Sequence, residues 1–124
     1  MTMTIGWIDN PEKIALARVV AHASARLAQR YSSQFDLCKM GSIYIRHSEE
    51  INAGNAELLY TREEHGSAES STYRLVDDNN RIMFPVVKHI VGVGPMICTY
   101  LTPMMVAKNL EGEDPKITLA RMMG

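Results

Sequence analysis

The longest regular pattern of apolar positions lies near the start of the chain. Leu16, Val20, Ala23, Leu27 and Tyr31 recur at spacings of three and four, which predicts one helix from about Pro11 to Tyr31. Asn10 is suited to cap it, Pro11 suits a first helical position, and Glu12 sets negative charge where first-turn amides favour it. Ala15, Ala17, Ala21, Ala25 and Ala28 keep the cylinder slim, so another element can approach closely.

Downstream the period shortens. "SIYIRH", with Ile43 and Ile45 on one face, predicts a strand; "AELLYTR" and "STYRLVD" predict two more. "DDNN" then offers residues that tolerate positive φ, with Asp78-Asn79 or Asn79-Asn80 at the tip of a hairpin leading into "RIMF". A competing helix would start at a Ser48 cap, run through Leu58 and Leu59 and stop at Gly66. Gly54 in its interior would cost about 1 kcal/mol relative to alanine, and the antiparallel meander is preferred. Near the end, Thr102-Pro103 and Asp114-Pro115 predict two short helices, one stopping near Gly112 and one reaching Met122. The fold class expected is α+β: a long N-terminal helix on a three- to four-stranded antiparallel sheet, completed by short C-terminal helices. No repeat or linker interrupts it, so residues 1–124 are expected to form a single domain.

Composition changes this picture little. A chain of 124 residues, 46% hydrophobic and 22% charged, has enough apolar content to bury a core without metals or disulfides. Cys38 and Cys98 are isolated and read as small apolar residues in a reducing cell. "MTMTIGWIDNPEK" lacks the basic start and apolar stretch of a secretory signal, and cytoplasm is the expected location.

Net charge is −1, but it is unevenly spread. Residues 1–47 carry six Lys/Arg against three Asp/Glu, residues 48–80 two against eight, and residues 81–124 five against three. The first helix places Arg18, His22, Arg26 and Arg30 in one oblique basic band, and Glu49, Glu50, Glu57, Glu63, Glu64 and Glu69 supply an acidic counterpart. Complementary patches on one molecule suit self-association as well as a foreign partner; with little aromatic interleaving, nucleic acid is disfavoured.

"VKHIVGVGPMICTYL" raises three readings. The third glycine of a dinucleotide fingerprint is replaced by Ile97, leaving at most an anion contact on a helix started by Pro95. Eighteen uncharged residues from Ile90 to Ala107 approach the length of a membrane span, but Gly92, Gly94, Pro95 and Pro103 would break it. A bend in the core is the reading adopted.

Catalytic chemistry finds no foothold. His22, His47, His65 and His89 show no metal-ligand spacing beyond His47-x-x-Glu50, and Cys38 beside Lys39 is a conceivable thiolate without a local partner motif. No catalytic residue, cofactor or metal is assigned. Six of nine methionines follow residue 82, and Met104, Met105, Met122 and Met123 fall on the short terminal helices. The function expected is a non-catalytic protein-interaction module, homodimeric, acting as adaptor, inhibitor or accessory subunit. Its contact residues would be Arg18, Arg26, Arg30 and those four methionines. The alternative is a small-molecule- or phosphate-binding protein, or a small enzyme, with a pocket between sheet and C-terminal helices. Gly92, Gly94, His89 and Tyr100 would line it, with Tyr44, Tyr60 and Tyr73 as further polar tips.

Overall fold

The computed structural model describes residues 11–31, 40–63, 69–90, 92–110 and 112–124, with side chains from residue 16 in the first segment and from 42 in the second. Helices α1 (Pro11–Tyr31) and α2 (Met40–Asn52) precede strands β1 (Glu57–Glu63), β2 (Glu69–Val76), β3 (Ile82–Ile90) and β4 (Gly94–Leu101), and helices α3 (Pro103–Asn109) and α4 (Pro115–Met123) close the chain. The strands form one antiparallel sheet in sequential order. This is the α+β architecture that the sequence predicts.

Successive strand residues face opposite sides, and β3 uses both. Met83 points to a cluster with Ala23, Leu27, Tyr31, Tyr44, Ile97 and Tyr100, which joins α1 and α2 to the sheet. Phe84 points the other way, to Val106, Ala107 and Met122 beneath α3 and α4. The apolar stripe expected on α1 is the one it buries, mainly against β4.

The strand predicted over "SIYIRH" does not form; these residues lie inside α2. A strand would set Ile43 and Ile45 on one face, yet Ile45 is 59% exposed while Tyr44 and His47 are buried and Ile43 and Ile51 half-buried. A 3.6-residue period over 13 residues outweighs the β-branched preference of six. The competing helix is wrong at both ends: Ser48 lies inside α2 rather than capping it, and α2 stops at Asn52, well before Gly66. Gly54 adopts φ 81°, its amide donates to the Ile51 carbonyl (3.1 Å), and the Asn55 amide donates to the Glu50 carbonyl (2.9 Å). That left-handed terminus stops the helix, and β1 follows. The fourth strand is β4, drawn from "GPMICTYL".

The turns follow their residues. Between β2 and β3 the Asp77 carboxylate accepts from the amides of Asn79 and Arg81, both at 2.9 Å, and Asn80 takes φ 60°. Asp114 accepts from the Lys116 amide (2.9 Å) and Thr102 from the Met105 amide (3.3 Å), so both prolines occupy first helical positions as expected. Asn10, Cys38, Lys39, Glu64 and His65, on which other expectations fell, lie outside the described residues.

Candidate functional site

The Gly-x-Gly-Pro stretch is a hairpin turn, not a bend in the core. Gly92 and Gly94 have φ 82° and 109°, the Val93 amide donates to the Ile90 carbonyl (3.0 Å), and Gly92 and Val93 are exposed. Pro95 starts no helix; it sits in the edge strand β4, where a missing N–H is tolerated. The anion contact imagined at a helix N-terminus therefore has no helix to rest on. His89 pairs with Pro95 beside this turn, but Tyr100 lies six residues beyond Gly94, about 20 Å along the strand. The four proposed ligand residues do not converge.

Tyr100 instead anchors a buried polar cluster. Its hydroxyl and His47 Nδ1 share a hydrogen bond of 2.8 Å. Tyr44 donates to the Ile97 carbonyl (2.7 Å), Tyr31 to the Leu101 carbonyl (2.6 Å) and Arg30 to the Tyr100 carbonyl (2.6 Å). Side chains of α1 and α2 thus answer the backbone of an edge strand that no fifth strand among the described residues pairs. Burial pulls His47 down to about 4, with Arg81 and Arg46 adding to the shift and Asp77 opposing it. Burial also pushes Tyr31 and Tyr44 up to about 12 and raises Tyr100 further. Near neutral pH His47 is neutral and the three tyrosines hold their protons, leaving the Arg30 guanidinium as the cluster's charge, which fits cohesion better than proton transfer.

Beside it, Ile43, Arg46, Glu50, Leu75, Asp77 and Arg81 border a cavity of about 170 Å³ between α2 and the β2–β3 turn. Apart from Glu50, which accepts from Asn55 (3.1 Å), its charges come in pairs. Arg46 bridges to Asp78, and Arg81 to Asp77 at 2.6 Å. Burial works to raise the Asp77 carboxyl, but the Arg81 and Asn79 amides and the Arg81 guanidinium outweigh it and hold the group below its usual range. The first pair latches the turn to α2, and the second closes the turn on itself.

The face under α3 and α4 differs. Thr102, Pro103, Met104, Lys116, Leu119, Ala120 and Met123 line an open groove of about 560 Å³ with almost no polar wall. The same two helices leave Met105 38%, Met123 41% and Ile117 59% exposed. Of the methionines singled out from the sequence, Met104 and Met123 line the groove and Met105 stands on the same helices. Met122 is buried against Phe84, and its side chain is not part of that surface. The basic band does not join them. Arg18 is exposed on α1, Arg26 donates to Gln29 (2.9 Å), and Arg30 is turned to β4. Pro103, Leu119 and Ala120 escaped the sequence reading, although Leu119, Ala120 and Met123 carry a recognisable helical stripe.

Among the described residues no three His, Cys, Asp or Glu side chains are grouped to hold a metal ion, and no helix is long and apolar enough to cross a membrane. Compared with known proteins, the chain matches no family model, no curated protein and no solved structure.

Proposed function

We propose that the protein is a non-catalytic interaction module whose α3–α4 face binds a second copy of the chain. The observation that carries this reading is the apolar groove with exposed Met105, Ile117 and Met123 on the helices that form it. Protruding apolar side chains and an apolar furrow on one surface are self-complementary under a two-fold axis. Charge is compatible with the same arrangement. Asp114 marks the start of α4 and Arg121, which already bridges to Glu113 of its own chain, its last turn, so antiparallel α4 helices bring the Asp114 end of one copy to the Arg121 end of the other.

The size of the face sets the strength. Nine residues of α4 span about 14 Å, and two helices side by side about 18 Å, a footprint of roughly 250 Å² per copy against about 800 Å² in a standard interface. The dimer is therefore weak and exchanges readily, as suits an adaptor or accessory subunit that trades its own copy for another partner.

Sedimentation velocity tests the reading. The sedimentation coefficient is expected to rise toward the dimer value between about 10 and 500 µM, the range of a weak interface. Met123→Lys with Ile117→Lys should abolish the rise, and Arg18→Glu on α1 should leave it unchanged. A monomer throughout that range, or a dimer insensitive to the lysine pair, overturns it.

A further inference from the structure

Helices α3 and α4 cover only part of their side of the sheet. The row Phe84–Leu101 lies beneath them. The next two cross-strand rows on that side are Tyr60–Thr72–Val86–Thr99 and Arg62–Ser70–Lys88. Directly paired residues share a face, so these rows stand side by side about 7 Å apart. With Cys98, Leu101 and Asn109 they line a depression of about 150 Å³. Asn109 of α3 donates to the Tyr60 hydroxyl (3.0 Å), closing one wall.

Its floor is unusual in its polar groups. Ser70 and Thr72 are 3% and 2% exposed, yet neither hydroxyl is hydrogen-bonded to a described residue. Neither is sealed in, because no fully buried side-chain N or O among the described residues lacks a partner. Both hydroxyls therefore open on the depression. Two cations, Arg62 and Lys88, stand in the same row as Ser70, and among the described residues no carboxylate lines the site. Arg62 is in no ion pair with a described residue. Buried hydroxyls retain their need for hydrogen bonds, and donors beside a guanidinium answer a multiply charged oxyanion far better than an apolar or cationic group. The volume matches about five waters at ~30 Å³ each, or one tetrahedral oxyanion with part of its hydration.

We propose that this half of the sheet face is a phosphate-class oxyanion site, with Arg62 as the charged clamp and Ser70, Thr72 and Thr99 as hydroxyl donors. It is separate from the α3–α4 groove, and its residues are not needed for self-association. The depression is open to solvent, so the oxyanion is either a free ion or the phosphoryl end of an organic ester whose remainder lies over the exposed strand β1.

The test is an NMR titration of the full chain with inorganic phosphate, phenyl phosphate and chloride at matched ionic strength. Phosphate is expected to shift the amides of Ser70, Thr72 and Lys88 with a Kd of about 1 mM, as one clamp and neutral donors allow. Arg62→Gln should weaken binding about tenfold and Thr72→Val about fivefold. Lys108→Gln on α3 should have no effect, and melting curves should confirm that each variant folds. Phenyl phosphate at least about tenfold tighter than phosphate assigns the site to an ester, and equal affinity to the free ion. Chloride reproducing the shifts, or phosphate binding unchanged in the Arg62→Gln, Thr72→Val double variant, overturns the proposal. Neither result depends on whether the chain dimerises.

Discussion

The two sides of the sheet solve opposite problems. On the α1–α2 side, the buried polar groups of the described residues are answered: Tyr31, Tyr44 and Arg30 reach strand carbonyls, and His47 meets Tyr100. On the α3–α4 side, two short helices of seven and nine residues cap Phe84 and then run out. What they leave uncovered is apolar on their own outer surface and hydroxyl- and cation-bearing on the strands. The closed side holds the fold, and the open side has surface to spend on ligands and partners. With ligand and partner binding on the open side as proposed, substitutions on the two sides of the sheet should affect different measurements.

The largest expected effect tests the closed side. Leu27 is fully buried in the cluster of α1, α2 and β4, and Leu27→Ala should cost about 3 kcal/mol in urea unfolding. Met123→Ala on the open side should cost under ~0.5 kcal/mol while weakening self-association. Equal losses at the two positions would break the comparison.

Acid should act on the closed side as well. The folded His47 titrates near 4, below its ordinary 6.5, so the unfolded chain takes the proton first as pH falls. Stability is unaffected above about 6.5 and declines through the window down to 4, by roughly 3 kcal/mol for this group alone. His47→Gln, which keeps a hydrogen-bonding side chain without the titration, should flatten that part of the stability–pH curve. An unchanged slope in the variant would remove His47 from the account.

A smaller loss is expected from Tyr100→Phe. It deletes the partner of His47 Nδ1 while keeping the ring in the core, at a cost of about 1 kcal/mol by the same unfolding measurement. Smallest of all is Asp78→Ala. The Arg46–Asp78 pair has side chains 59% and 71% exposed, and solvent screening should hold its contribution under ~0.5 kcal/mol. A loss above 2 kcal/mol there would mean that the latch between α2 and the β2–β3 turn matters more than the buried cluster behind it.

Much of the architecture was legible where a local rule was strong. The α1 stripe, the Asp-Asn turn between β2 and β3 and the two proline-started helices each depend on residues within one or two turns of one another. "SIYIRH" misled because six residues fit either period. Only the burial of Tyr44, His47 and Ile51 on one side, with Ile45 left outside, shows which period prevailed. The candidate sites were less legible. His89 and Tyr100 lie eleven positions apart on two paired strands, and antiparallel register keeps them far from each other. Arg62, Ser70 and Lys88 lie in separate strands, and register alone brings them into one row.

By itself, then, the sequence determined which segments turn, which helices start at proline and which stripe of α1 is apolar, because those outcomes depend on neighbours a few residues away. Only the tertiary structure decided that α2 is a helix, that the Gly-x-Gly turn joins two strands, and that Arg62, Ser70 and Thr72 share one depression. Each of these depends on contacts or register between segments distant in the chain, and no local spacing encodes them.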